Sequence, residues 1–174
     1  MFQTSTQGNW VTDVMRSTTG ADVALQNRGG LRSDLNAGPI TRRDVFRMLP
    51  FNNTLIVLTM SGRDLEALMR RTVEGERPVT LEMSGMRVRV QEAGESWTMS
   101  ALTVAGEPVV PDRMYKVATN SFMAGGGDGF TEFTFVQERT EEGPIQRDLV
   151  EQNLQATDSG ISPPAEDRYQ RDSK

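Results

Sequence analysis

The sequence predicts a single α+β domain in which a mixed β-sheet is flanked by helices. Three observations support this class. The length of 174 residues suits one domain with a substantial core. Segments with strand patterns outnumber those with helical patterns, and the two kinds do not alternate strictly along the chain. Because no internal repeat and no long linker divides the sequence, one domain accounts for all of the predicted elements.

The first half of the chain has clear local signals for two helices. Residues 9–18 carry apolar side chains at a spacing of one, three and four, which predicts a short helix. Thr41 and Asp44 have the form of a capping box, so a second helix is expected to run to about residue 49, where Pro50 ends it. Strands are predicted over residues 21–25, before a glycine-rich turn, and over the β-branched and apolar residues 54–60.

The second half contains the remaining predicted elements. Ser61 and Asp64 repeat the capping signal, and the apolar face of a helix follows them. Residues 86–90 alternate apolar residues with arginines, as expected of a half-exposed strand. Further strands are predicted over residues 98–104, 115–119 and 133–136, and a last helix over about 146–154.

Both ends of the chain are predicted to be loosely held. Residues 1–7 are polar and are expected to form a frayed end, and residues 159–174 a loose tail that contains Pro163 and Pro164. The domain itself is therefore expected to span residues 8–158. The longest apolar run has only a handful of residues, so neither a membrane span nor a signal peptide is predicted.

The composition excludes several kinds of chemistry. The chain contains no histidine and no cysteine, so it can form no disulfide, no His- or Cys-based metal site and no Ser-His-Asp triad. No run such as D-x-D-x-D-G with a later Glu suggests a carboxylate site for Mg²⁺ or Ca²⁺. The net charge of -5 disfavours nucleic acid or an anionic membrane as the main partner. We therefore predict no catalytic residue, metal ligand or cofactor in this chain.

Two short segments in the first half carry candidate binding residues. In residues 27–32, N-R-G-G-L-R, the paired glycines would allow close approach of a ligand, and the arginines could reach an anion. Taken alone, a turn with solvated arginines explains this segment better. Residues 50–53, P-F-N-N, place Phe51 and two amides at the entrance of a strand. Taken alone, Phe51 is best explained as a core residue.

A third segment, residues 120–130, is the least easily explained by structure alone. It contains four glycines in five positions around Asp128, with Phe122 on one side and Phe130 on the other. A hairpin connection would account for the glycines but not for the aspartate between two aromatic residues. An aromatic pair can stack on a nucleobase, and such stacking contributes roughly 1–3 kcal/mol per base.

Taken in order, these segments resemble the C-terminal domain of the 5′-nucleotidase family. The family pattern N-x-G-G-[LI]-R matches residues 27–32, and P-F-x-N matches residues 50–53. The pattern Y-x-V-A-T-x-x-F-x-A-x-G-G-D-G-F matches residues 115–130. Each motif alone is weak, but their order and spacing over about residues 8–136 are specific. The family also contains UDP-sugar hydrolases and 2′,3′-cyclic-nucleotide phosphodiesterases.

The resemblance implies that six residues bind a nucleoside or nucleotide: Asn27, Gly30, Arg32, Phe51, Phe122 and Asp128. Phe51 and Phe122 would stack on opposite faces of the base, and Asp128 would bond to the ribose hydroxyls. Asn27 would contact the base or ribose, and Arg32 the ribose and phosphate end. The role of Gly30 would be to allow close approach of the backbone.

One part of the family pattern differs in this chain. Family members carry another substrate-contacting Arg and a Glu just before the first helix. This chain has Met1 at the first of these positions and Thr4 near the second. Contact with a phosphate is therefore expected to be weaker than contact with a nucleoside.

The resemblance also implies a second domain that performs the chemistry. An N-terminal metallophosphoesterase domain of the same parent chain would hold two divalent metal ions and activate water, while this chain would be inactive alone. Family members are commonly exported to the periplasm, the cell surface or the medium. Alternatives remain open: a UDP-sugar, a 2′,3′-cyclic nucleotide, a non-nucleotide such as a thiosulfonate carrier, or a free-standing protein-interaction module.

Overall fold

The computed structural model describes residues 2–136, 138–140, 142–157, 160–162 and 164–172. Its α-helices are α1 (Thr6–Thr19), α2 (Arg42–Met48), α3 (Gly62–Glu74), α4 (Ser121–Ala124) and α5 (Gln146–Gln155). Its strands are β1 (Val23–Asn27), β2 (Leu55–Ser61), β3 (Leu81–Ser84), β4 (Met86–Ala93), β5 (Ser96–Val104), β6 (Glu107–Pro108), β7 (Met114–Asn120) and β8 (Tyr169–Arg171). Short 3₁₀ helices lie at Arg28–Gly30, Gly127–Gly129 and Thr131–Phe135.

The strands divide between two four-stranded sheets. The first has the order β2-β7-β1-β3, and the second has the order β6-β5-β4-β8. Both sheets are mixed, because β1 is parallel to β7 but antiparallel to β3, and β4 is parallel to β8 but antiparallel to β5. This confirms the α+β class with mixed β-structure and flanking helices, and it divides the predicted sheet in two.

The first sheet is covered on both faces. All five residues of β1 are buried. Val23 and Leu25 pack into the core that contains α3 and the second sheet, whereas Ala24 faces the core formed with α1, α2 and α5. Because side chains alternate between the two faces of a strand, a strand covered on both faces has no solvated side. The polar residues at the end of β1 must therefore find partners inside the protein.

The two predicted capping signals begin helices in the structure. Thr41 accepts a hydrogen bond from Asp44 N, and the Asp44 carboxylate accepts one from Thr41 N at 2.9 Å. Ser61 Oγ accepts from Asp64 N at 3.1 Å and begins α3. Each hydroxyl satisfies a free N–H group of the first helical turn, so both predictions are confirmed.

One predicted strand is absent, and one strand of the first sheet was not predicted. Residues 133–136 do not form a strand, because Phe133 is buried against Phe130 at a ring-centroid distance of 5.9 Å within a short 3₁₀ turn. Strand β3 was not predicted at all. Its Glu82 interrupts the apolar pattern, yet the side chain is fully buried and pairs with Arg28 at 3.1 Å.

The prediction of a frayed N-terminal end is also wrong for residues 2–7. Phe2 is 1% exposed and its ring contacts Trp97 and Tyr169, with centroid distances of 5.4 and 5.3 Å. Ser5 caps α1 by accepting a hydrogen bond from Gly8 N at 3.0 Å. One aromatic residue in a short polar segment gives no periodic signal, so its burial could not be anticipated.

The predicted loose tail contributes a strand instead. Tyr169–Arg171 forms β8, parallel to β4, and Tyr169 Oη accepts a hydrogen bond from Leu81 N at 3.0 Å. The Arg168 side chain is 5% exposed and donates to Asp13 at 2.8 Å and to the Met83 carbonyl. These partners lie more than 80 residues away in sequence. Of the predicted tail, residues 159, 163, 173 and 174 lie outside the described residues.

Replacing Arg168 by alanine tests whether the tail is part of the fold. Arg168→Ala removes a buried cation and the hydrogen bonds that it donates to the Met83 carbonyl and to Asp13 Oδ2, so the free energy of unfolding should fall by about 2 kcal/mol. Arg87→Ala is the matched control, because both arginines contact Glu166 but Arg87 is 45% exposed. Its effect should stay below about 1 kcal/mol in denaturant unfolding. Equal effects would contradict a structural role for the tail.

The buried Tyr169 hydroxyl predicts a loss of stability at alkaline pH. Burial raises its pKa well above the ordinary value of 10.0, so folding favours the protonated phenol. This contribution is complete below pH 10.0 and is lost as the pH rises further. Denaturant unfolding between pH 8 and roughly pH 11 should show declining stability, with a shallower decline in Tyr169→Phe. If stability declines equally in the unmodified chain and in Tyr169→Phe, the buried Tyr169 hydroxyl is not the cause of the decline.

Candidate functional site

The three predicted binding segments meet at one edge of the first sheet. Strands β1 and β7 are parallel, so their carboxyl ends, at Asn27 and Asn120, lie at the same edge. Strand β2 is antiparallel to β7 and begins at that edge, with Leu55 paired to Asn120. The loop after β1, the turn before β2 and the loop after β7 are therefore neighbours, although they are far apart in sequence.

Backbone hydrogen bonds connect these segments directly. Arg32 N donates to Met48 O at 2.9 Å, which connects the loop after β1 to the end of α2. Ser121 N donates to Thr54 O at 2.8 Å, and Thr54 N donates to Ser121 Oγ at 3.1 Å. The second pair joins the start of β2 to the beginning of α4. As a result, the turn that carries Phe51 is attached to both of its neighbours.

Phe51 is a surface residue and not part of the core. It is 48% exposed, on a turn that Arg147 from α5 holds in place. Arg147 donates to Leu49 O at 3.1 Å, to Phe51 O at 3.4 Å and to Asn52 Oδ1 at 2.9 Å. Its guanidinium group lies 4.9 Å from the centre of the Phe46 ring. Arg147 was not identified from the sequence, because no local pattern connects it to a turn almost 100 residues earlier.

Phe122 lies in α4, directly after β7, and is about as accessible as Phe51. It is 45% exposed, and its ring packs against Gly127, where a Cβ atom would lie only 2.5 Å from ring carbons. A glycine at 127 is therefore needed for this ring position. Phe130 was the other aromatic residue beside Asp128, but it is 1% exposed and contacts Phe133. Phe130 is a core residue and cannot stack on a ligand.

Asp128 is exposed in a left-handed turn, and Asn27 holds its carboxylate. Its φ of 53° is uncommon for a residue other than glycine. Asn27 Nδ2 donates to Asp128 Oδ2 at 2.7 Å, which connects the ends of β1 and β7 through their loops. Among the described residues, no hydrogen bond reaches Oδ1 of Asp128. One carboxylate oxygen therefore remains available to accept a hydrogen bond from a ligand.

Asn27 belongs to a buried group of side-chain amides formed by Gln26, Asn27, Asn120 and Gln146, here called the amide network. Asn27 Oδ1 accepts from Gln26 at 2.9 Å and from Asn120 at 3.1 Å. Gln26 Oε1 accepts from Asn120 at 3.0 Å and from Gln146 at 2.6 Å. None of the four residues is more than 5% exposed. The sequence signal, polar residues ending two otherwise apolar strands, was present but was not used.

Two of the predicted residues have contacts that refine their roles. A Cβ atom on Gly30 would lie 2.2 Å from Gln26 Nε2. The missing side chain at this position therefore leaves room for the amide network. Arg32 is exposed, and its guanidinium group donates to Gly29 O at 3.2 Å. Arg28 differs, because its ion pair with the buried Glu82 partly neutralises its charge. Arg32 is thus the better candidate to meet an anionic ligand.

An open cavity of about 870 Å³ lies beside this region, between residues 3–7 and the loop at 34–38. Arg28, Trp10 and Glu82 contribute to its lining. None of the six predicted binding residues does. The exposed residues among the six, Arg32, Phe51, Phe122 and Asp128, therefore lie outside this cavity, and Asn27 and Gly30 are buried beneath them.

The residues that the structure describes do not fit a dimetal centre. Within the described ranges, no group of three or more Asp or Glu side chains is placed to hold a metal ion, and the chain has no histidine or cysteine. The metal ions implied by the resemblance would thus require ligands from elsewhere. No helix in the described part of the chain is long and apolar enough to cross a bilayer.

The chain is similar to proteins of one known family. The family model of the 5′-nucleotidase C-terminal domain matches residues 1–135. Protein UshA of Yersinia enterocolitica is 29% identical over 136 residues, which are 78% of this chain and 24% of UshA. A 5′-nucleotidase of Vibrio cholerae is 29% identical over 177 aligned residues, covering 97% of this chain and 31% of its own.

A solved structure shows the same fold. The crystal structure of a 5′-nucleotidase precursor from Thermus thermophilus superposes with a TM-score of 0.82 and 28% identity. The match covers 98% of this chain and 36% of that one. This chain thus spans only about a quarter to a third of the length of these relatives. From the family match and the shared fold, we conclude that the chain belongs to the 5′-nucleotidase C-terminal domain family.

Proposed function

We propose that this chain is the nucleoside- or nucleotide-recognising domain of a 5′-nucleotidase-type, metal-dependent phosphoester hydrolase. One observation carries the proposal: two half-exposed phenylalanine rings, Phe51 and Phe122, lie on segments that hydrogen bonds between Thr54 and Ser121 join, and Phe122 packs against Gly127, next to Asp128. Aromatic side chains are normally buried, so two such rings held in place on an exposed surface favour a ligand that stacks.

The chemistry of these residues suits the parts of a nucleoside. The phenylalanine rings offer apolar faces for a base, and the free oxygen of Asp128 accepts hydrogen bonds from hydroxyl groups of a sugar. Arg32 lies on the loop that follows Asn27 and Gly30, and its exposed guanidinium group can pair with a phosphate. Arg28 is less suited to that role because Glu82 is already its partner.

The hydrolytic step is assigned to a partner, namely an N-terminal metallophosphoesterase domain of the same parent chain. Its two divalent ions would polarise the phosphoryl group and activate water. This chain would orient the ligand and select it. The relatives support such an arrangement, since this chain matches only 24% of UshA and 31% of the Vibrio cholerae 5′-nucleotidase. An exported location is part of the proposal and rests on the family resemblance.

Other ligands differ from a nucleoside in ways that binding experiments can detect. UDP-sugars and 2′,3′-cyclic nucleotides retain a base for the two rings, but a cyclic phosphate leaves Asp128 without free ribose hydroxyls as partners. A thiosulfonate carrier would use neither ring. A free-standing protein-interaction module would bind no nucleoside. Titration with adenosine, uridine, AMP and 2′,3′-cyclic AMP therefore separates ligands that contain a base from the other two alternatives, and free ribose hydroxyls from a cyclic phosphate.

Binding of adenosine or AMP should be detectable but weak in the isolated chain. A dissociation constant near 1 mM, about 4 kcal/mol, is expected because only one side of the ligand is contacted. Phe122→Ala and Asp128→Ala should each weaken binding by about tenfold or more, measured by NMR chemical-shift titration. Met114→Ala is the control, because Met114 is 53% exposed and lies at the opposite end of β7. This variant should bind the ligand as tightly as the unmodified chain.

The proposed function would be overturned if the chain bound none of the nucleosides or nucleotides tested. Binding that Phe122→Ala and Asp128→Ala leave unchanged would also contradict it, because the ligand would then lie elsewhere. Loss of binding in Met114→Ala would indicate a general effect on folding, so each variant needs a thermal unfolding curve beside its titration.

The isolated chain should have no phosphatase activity. Purified protein incubated with AMP and Mg²⁺, Mn²⁺, Co²⁺ or Zn²⁺ should release no phosphate, because its residues supply neither His nor Cys ligands and no carboxylate cluster in the described ranges. A colorimetric phosphate assay makes this measurement. Metal-dependent release that persists at constant specific activity through several purification steps would refute the expectation.

A further inference from the structure

We propose that Asn120 is a positioning residue that sets the orientation of the Asn27 amide and thereby the Asp128 oxygen that faces the ligand. The inference rests on the proposed function, because it explains how the same site would select ligands that donate hydrogen bonds. It is carried by the hydrogen-bonding directions within the amide network.

A backbone N–H group fixes the orientation of Asn120. Met123 N donates to Asn120 Oδ1 at 2.9 Å, and a backbone N–H can only donate. The amide oxygen of Asn120 must therefore face α4. Its Nδ2 group then faces the interior, where it donates to Gln26 Oε1 at 3.0 Å and to Asn27 Oδ1 at 3.1 Å. The cap of α4 by Asn120 therefore requires that the atoms of Gln26 and Asn27 facing its Nδ2 group are acceptors.

A backbone carbonyl fixes Gln26 independently. Gln26 Nε2 donates to the carbonyl oxygen of Asn27 at 2.9 Å, and a carbonyl can only accept. The same Nε2 group also donates to Asn27 Oδ1 at 2.9 Å. Gln146 Nε2 donates to Gln26 Oε1 at 2.6 Å, which agrees with this orientation. Both neighbours of Asn27 Oδ1 are thus donors, and each is oriented by a different backbone group.

Asn27 is left with one favourable orientation. Its oxygen faces two donors, so its Nδ2 group faces outward and donates to Asp128 Oδ2 at 2.7 Å. If the Asn27 amide were reversed, its oxygen would face a carboxylate and its N–H groups would face other N–H groups. Gln26 and Asn120 are 0% exposed, so water cannot compensate for such a mismatch.

The consequence for a ligand concerns the carboxylate of Asp128. Because Asn27 occupies Oδ2, the ligand meets Oδ1, which accepts no hydrogen bond from the described residues. The site then favours ligands with hydroxyl donors at this position over ligands that lack them. Asn120 contributes to this preference from inside the protein, without being exposed to the ligand.

The test compares the affinities for adenosine and 2′,3′-dideoxyadenosine. In the unmodified chain adenosine should bind roughly tenfold more tightly, as expected for hydrogen bonding to a charged group. Asn120→Asp keeps the shape of the side chain and the acceptor for Met123 N but removes both donors. In this variant the affinity ratio should fall toward one, as in Asp128→Ala, while dideoxyadenosine binding changes little. Asn120→Ser, which also provides a helix cap, serves if Asn120→Asp does not fold.

Thr119→Val is the matched control. Thr119 precedes Asn120 on β7, is fully buried and donates to Leu25 O at 3.0 Å, outside the amide network. This variant should lose stability but keep the affinity ratio. A purely structural role for Asn120 would give the same result in both variants, so an unchanged ratio in folded Asn120 variants would overturn the inference.

A second measurement needs no ligand. The Asn27 side-chain N–H protons should exchange slowly with solvent in the unmodified chain and in Thr119→Val, and at least about tenfold faster in the Asn120 variants. If Asp128→Ala abolishes the affinity ratio but the Asn120 variants do not, the inference fails and the proposed function stands. If the unmodified chain binds neither nucleoside, the proposed function fails, and the exchange rates still decide whether Asn120 orients Asn27.

Discussion

The candidate site depends on one constraint: the buried amides at the ends of β1 and β7 must be hydrogen-bonded inside the protein. An unpaired buried donor or acceptor costs about 1–3 kcal/mol, and the amide network brings together four such side chains. Their pairing joins β1, β7 and the first turn of α5, and its outer end is the bond between Asn27 and Asp128 at 2.7 Å. The loops that carry the candidate binding residues are placed by interactions beneath the surface.

Under the proposed function, recognition and chemistry lie in different domains. The exposed surface offers two aromatic rings, one free carboxylate oxygen and one arginine, which suit stacking, hydrogen bonding and charge pairing. Nothing in the described part of the chain converges on a metal ion. Arg147 adds stability on the other side of the site, because its three hydrogen bonds hold the Phe51 turn against α5. A rigid surface of this kind reduces the entropy lost when a ligand binds.

Much of the fold was predictable because its signals are local. The Thr41 and Ser61 caps, the apolar face of α3 and the alternation of β4 all depend on residues within a few positions of one another. The order of the motifs indicated the site. What was missed depends on distant pairing: Glu82 is buried through Arg28, and Arg168 through Asp13. No local pattern distinguishes such residues from solvated ones. The amide network differs, because polar residues at the ends of β1 and β7 mark it in the sequence, and only their pairing with each other depends on the fold.

The most direct test of the account is a crystal structure of the chain with adenosine at saturating concentration. We expect the base to lie between Phe51 and Phe122 and a ribose hydroxyl to lie within hydrogen-bonding distance of Asp128 Oδ1, with Asn27 still donating to Oδ2. Density for the base away from both rings, such as in the cavity beside Arg28 and Trp10, would contradict the account.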